Sequence, residues 1–175
     1  MSEAGRSAGV EAHRLVALAD EHQRLAAQSR EDAERWMIAH RTERQVAGTL
    51  APLTACGYML LNDLGWPGAR RGSRAQIDHV LVGPGGVFIV DTKAWKDVTL
   101  AGGRIFRGQA DVTDDLAGLA DVGVGTEAVL AELGLAPGEV RTLVVLAGSV
   151  MEPVPLAGLC GLVVLGERRA PKYIN

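Results

Sequence analysis

The segment from Ala75 to Lys93 constrains this chain more than any other. Residues 75–82 (AQIDHVLV) and 87–93 (VFIVDTK) flank the turn Gly83-Pro84-Gly85-Gly86. They read as two β-strands of one hairpin. Val80, Val82, Val87 and Ile89 fall on one face, and Ile77, Leu81, Phe88 and Val90 on the other. A hairpin apolar on both faces is expected in the middle of a sheet, with a layer packed on each side.

Charge enters this hairpin only at its open end. With Val82 facing Val87, Asp78 is expected opposite Asp91, and Gln76 opposite Lys93. Strand side chains alternate, so positions 76, 78, 91 and 93 are predicted to share a face. Opposed side chains start from Cβ atoms about 4.5–5.5 Å apart. Two carboxylates that close repel unless something positive lies between them. A hard divalent cation, Mg2+ or Mn2+, suits the place, since it takes a few carboxylates and leaves other positions to water and phosphate. Lys93 would orient a water and offset phosphate charge. Asp78, Asp91 and Lys93 are therefore the candidate catalytic residues, and the two acids the candidate metal ligands. A structural Asp–Lys–Asp salt-bridge cluster, or a shifted register, fits the same spacing.

The other segments fit around this hairpin. Residues 10–51 contain no proline, and Pro52 ends a long helical stretch. Trp36, Ala39, Glu43, Ala47 and Leu50 recur at spacings of three and four, as one helix face does. Glu43 interrupts that apolar stripe. It is either an edge residue reaching water or a carboxylate directed at a cation or partner. Upstream, Leu15, Leu18 and Leu25 have heptad-like spacing, with His22 between them. This reads as a solvated helical extension, with self-association through it as the alternative. Residues 57–63 are predicted as a strand and 98–107 as a hairpin turning at Gly102-Gly103. Residues 113–133 are predicted as a helix weakened by its glycines, and 140–147 and 161–165 as strands. The predicted fold class is α/β (α+β), a mixed central sheet flanked by helices. Residues 1–33 would form the extension and 34–175 the domain.

Charge and cysteine content exclude several function classes. The net charge is −3, but residues 62–108 carry +3 and residues 109–175 carry −5. A polyanion would be drawn to the middle of the chain. There, Arg70, Arg71, Arg74 and Gln76 are candidate nucleic-acid contacts. Cys56 and Cys160 form no CxxC and no zinc-ligand spacing, and they are expected to be buried free thiols. The stretch 140–166 holds Arg141, Glu152, Pro153 and Pro155, so it is not one membrane helix. Residues 1–35 have no apolar run of the kind an export leader needs. A cytoplasmic protein with no membrane partner is the expectation.

The run from Gln76 to Trp95 (QIDHVLVGPGGVFIVDTKAW) closely resembles the core of the nuclease-related domain (NERD) family, grouped with the PD-(D/E)xK, restriction-endonuclease-like nucleases. Leu60-Leu61-Asn62-Asp63-Leu64 and the helix around Glu43 also resemble it, and the resemblance extends over about residues 34–165. It implies a restriction-endonuclease-like fold and a metal-dependent nuclease acting on DNA ahead of RNA. Asp78 matches the motif's first acid, Asp91 its second and Lys93 its lysine. Glu43 matches the glutamate on the family's first core helix, adding it to the implied catalytic and metal-binding set. Ala39 and Thr42 stand where the family usually has glycine. That departure leaves a second reading, a nucleic-acid-binding or regulatory module of the same fold without turnover. His79 is expected to face the core or a helix, and Trp95 to close the core rather than stack on a base.

Overall fold

A computed structural model describes residues 6–66, 76–156 and 158–175. The chain divides into two compact units, Met1–Ile38 and Ala39–Asn175. Helix α1 (Arg6–Leu50) runs through the boundary.

In the first unit the helix has almost no buried face. Leu15, Leu18 and Leu25 are all exposed. Side-chain pairs one turn apart support it, with Arg14 on Glu11 at 2.7 Å and Arg35 on Asp32 at 3.3 Å. Such exposed pairs contribute only a few tenths of a kcal/mol each.

The second unit contains the sheet. Strands β1 (Met59–Gly65), β2 (Gln76–Gly83) and β3 (Gly86–Lys93) form an antiparallel meander. A small hairpin follows, β4 (Val98–Ala101) and β5 (Arg104–Arg107), with the short β6 (Ala110–Asp111) beside it. Helix α2 (Ala117–Ala131) leads to β7 (Val140–Leu146), the short β8 (Val154–Pro155), β9 (Val163–Gly166) and helix α3 (Ala170–Ile174). The main sheet has the order β1-β2-β3-β7-β9-β8, and β3, β7 and β9 run parallel. The architecture is thus a mixed, restriction-endonuclease-like sheet with helices on it, as the order of predicted elements required.

Both faces of the sheet are covered. Val46 and Leu50 of α1 pack with Tyr58, Leu81, Phe88, Val90, Leu143 and Val145, and Ile174 of α3 joins them. Across the sheet, Val144, Leu146 and Val164 pack with Ile105, Leu116 and Ala120. Gly123 allows α2 to lie close on β7, because a side chain there would strike the Thr142 hydroxyl. The glycine that weakens the helical pattern is the one that fits the helix to the sheet. At the hairpin turn, Gly86 has φ +110° and its backbone lies against the Glu139 carbonyl. No other residue fits there without displacing that chain.

Three sequence expectations change. Trp36 is 71% exposed, and the buried stripe of α1 is Thr42, Val46 and Leu50, with Ala39 partly covered. The buried face is turned from the predicted one, with Thr42 and Val46 one position before Glu43 and Ala47, and Trp36 lies in the exposed unit. Cys56 and Cys160 are free but exposed, because Cys56 ends the 3-10 helix Ala51–Cys56 and Cys160 sits in a turn before β9, neither on a strand. Ile77 packs with Val80, Val87 and Ile89 instead of with Leu81 and Phe88. Its neighbour strand explains the change: Asp63 has φ +56°, and the β1–β2 ladder skips the Asp63–Asp78 position. The strands bend there, and alternation changes phase across the bend.

Candidate functional site

The bend in β2 determines how Asp78 is presented. The β2–β3 register runs from Gly83↔Gly86 to His79↔Val90, as predicted, and then stops. Where the next rung would lie, an Asp78 carboxylate oxygen (Oδ2) accepts the Thr92 backbone N–H at 2.7 Å. Asp78 thus replaces a ladder bond and stays tied to the strand that carries Asp91 and Lys93. Gln76 does not pair with Lys93. It is exposed and paired with Gly65 of β1. Arg70, Arg71 and Arg74 lie outside the described residues.

On β3, Asp91 and Lys93 are partly buried, with Lys93 Nζ 2.8 Å from Asp91 Oδ2. Lys93 both neutralises and hydrogen-bonds Asp91, and the carboxyl remains raised by its burial. Trp95 packs in the cluster beneath the small hairpin, and its ring lies 5.9 Å from the Lys93 ammonium. It therefore closes the core beside Lys93.

The electrostatics show what the geometry brings together. Burial and the neighbouring Asp91 charge push the Asp78 carboxyl up to about 6, and Glu43 adds to the rise. The Thr92 N–H and Lys93 act in the opposite direction but do not cancel it. Burial also raises the Asp91 carboxyl, with Lys93 opposing. Glu43, partly buried at the edge of the α1 stripe, therefore acts on Asp78 across the packed interface of helix and sheet. Among the described residues Lys93 is the cation that acts on both Asp78 and Asp91, and it does not cancel the effect of their burial.

Residues 38–146 match the family model described as nuclease-related domain. The chain belongs to the nuclease-related domain family. The match covers well over half of this nuclease-related domain protein and includes Glu43, Asp78, Asp91 and Lys93. It agrees with the PD-(D/E)xK placement that the hairpin motif implied. No curated protein and no solved structure matches the chain.

The donor set of the nuclease-related domain is all hard oxygen, which suits a divalent cation such as Mg2+ or Mn2+. Asp78 and Asp91 fit one: they face each other's charge in a largely buried place, and both carboxyls stay raised despite Lys93. Among the described residues no three His, Cys, Asp or Glu side chains stand together as a ready-made metal cage. Asp91 acts on Asp78 more strongly than Glu43 does from its helix.

Sequence reading missed two residues that shape this region. Asn62 Oδ1 lies 2.8 Å from His79 Nδ1, bracing β1 to β2 next to the bend. His79 is buried as expected, and burial pushes it down to about 4, so its ring is neutral. Glu167, beyond the family match, is buried at 5% exposure. No periodicity marked either residue. A buried glutamate after a four-residue strand is visible only once its partners fold around it.

Proposed function

We propose that this domain, taken as residues 34–175 with residues 1–33 as its helical extension, hydrolyses phosphodiester bonds in nucleic acid, DNA ahead of RNA. The supporting observation is the pair of under-neutralised aspartates held on adjacent strands with Lys93 beside them. Asp78 and Asp91 would hold Mg2+ or Mn2+, and Glu43 would complete the set from α1. The cation, when bound, polarises the phosphate and activates water.

The protein's own groups have separate roles. The Thr92 N–H takes one Asp78 oxygen, leaving the other for the cation and fixing the carboxylate plane. Asp91, once compensated by the cation, no longer needs Lys93 as its sole counter-charge. Lys93 can then donate hydrogen bonds to a water or a phosphate oxygen. The buried apolar strands beneath hold all three groups rigid, so the approach geometry costs little reorganisation. Arg70, Arg71, Arg74 and Gln76, in or next to the positive loop, would contact backbone phosphates. Among the described residues no helix is long and apolar enough to cross a membrane.

A second reading, a binding module without turnover, draws on Ala39 and Thr42. Thr42 is buried against the core where the family usually has glycine. Cleavage of single- and double-stranded DNA and RNA, with Mg2+, Mn2+ or EDTA, separates the two. Turnover with metal should fall at least about 100-fold in Asp78→Asn and Asp91→Asn, more than an outer-shell change costs. Metal-dependent binding without product in any of these assays would replace the enzyme reading with the module.

A further inference from the structure

Glu167 stands at the carboxyl end of β9, with its side chain turned onto α1. One carboxylate oxygen accepts Gln45 Nε2 at 2.6 Å and the Gly148 N–H at 2.6 Å, and the other accepts Thr49 Oγ1 at 2.5 Å. Gly148 is the second residue after β7, and the Ala147 N–H between them donates to the Lys93 carbonyl at 3.0 Å. The Arg168 N–H and Gly166 N–H close the 147–151 loop onto the same strand end through Ser149 and Met151. A continuous path of short bonds therefore runs from the Lys93 backbone, through Gly148 and Glu167, to the turn of α1 next to Glu43.

The position of these bonds on the helix gives them their effect. At about 100° per residue, Gln45 and Thr49 lie on one flank of the Thr42–Val46–Leu50 stripe, and Glu43 on the other. Apolar packing such as that of Val46 and Leu50 is non-directional and by itself lets a helix rotate a little about its axis. At a side-chain radius of about 5–6 Å, 10° of rotation moves a tip by about 1 Å. Directed bonds on the flank opposite Glu43 remove that freedom.

We infer that Glu167 is a positioning residue that fixes the rotation of α1, and so the placement of Glu43, relative to the strand of Asp91 and Lys93. In its metal-binding consequence this rests on the proposed function. Its structural core does not, and the test separates them.

The variants are Glu167→Ala and, because that change removes every bond of the clamp at once and could cost folding, Gln45→Ala/Thr49→Ala, which loosens the clamp from the solvent side. In Gln45→Ala/Thr49→Ala, hydrogen exchange at amides 42–46 should quicken about tenfold or more, beyond any change in the β3 and β7 amides, which follow global stability. The Mn2+ Kd, read by electron paramagnetic resonance on the full chain, should rise about tenfold. It should rise no further when Glu43→Ala is already present. Exchange at 42–46 that is unchanged in Gln45→Ala/Thr49→Ala, or that quickens no more than in the sheet, overturns the inference. So does an equal loss of Mn2+ affinity with and without Glu43. If the wild type binds no Mn2+, the proposed metal function fails, and the exchange pattern alone decides whether Glu167 positions the helix.

Discussion

The domain buries acid in two places, and it treats them in opposite ways. At Glu167, burial raises the cost of charge, but bonds from Thr49, Gly148 and Gln45, with Arg168 nearby, more than offset it and hold the carboxyl below its usual range. At Asp78 and Asp91 burial dominates, and both carboxyls are raised. The first site is complete without any added group, so its role lies within the fold. The second is stable only at a cost that a cation would remove. An under-satisfied buried group is a better pointer to function than burial alone.

The largest expected effect falls on the satisfied acid. Glu167→Ala removes charge-assisted bonds and strands the Gly148 N–H. A loss of about 3 kcal/mol is expected, or about 6–12 °C in Tm for a chain of this size. A thermal melt showing less than 2 °C of change would remove the contrast.

Metal should affect only the other site. Mn2+ at about a hundredfold excess over its Kd should stabilise the wild type by about 2.7 kcal/mol. Asp78→Asn and Asp91→Asn should lose most of that shift in the same melts. A metal-dependent rise that survives both substitutions would place the cation elsewhere.

The smallest effect concerns pH without metal. The Asp78 carboxyl, at about 6 when folded, keeps its proton where the unfolded chain has lost it. It therefore destabilises the fold progressively as pH rises from about 4 to 6, and the loss stays constant above. Asp78→Asn keeps an acceptor for Thr92 and removes the charge. The variant should be more stable than wild type by about 1 kcal/mol at pH 7, below the full linkage value because the group still meets solvent. Glu167 has the opposite sign: its contribution is present at neutral pH and lost only as pH falls through its lowered value. His79, neutral and pushed down to about 4, also loses stability as pH falls below its usual 6.5. The Asp78 effect is therefore read as wild type minus variant across pH 4–7.5. A difference that stays flat over that range would show that Asp78 and Asp91 are ordinary salt-bridge partners.

The sequence by itself determined the sheet's central hairpin, its register and the order of the elements. Those follow from local rules: two-sided apolar strands, a glycine turn with one fitting geometry, and a proline after a long helix. It also placed Asp78, Asp91 and Lys93 on one hairpin, because that hairpin links them within sixteen residues. Only the tertiary structure decided the bend at Asp63 and Asp78, which replaces a flat cross-strand pair with a carboxylate bonded to Thr92. It also decided which helix face is buried, since the stripe through Trp36, Glu43 and Ala47 has a neighbouring face through Thr42 and Val46, and the sheet covers the second. The Glu167 clamp is equally tertiary, as its partners lie more than a hundred residues upstream and on a separate loop. Periodicity reports which way a side chain points along its own element. What it meets there, and whether its charge is satisfied, depends on groups brought in from elsewhere in the chain.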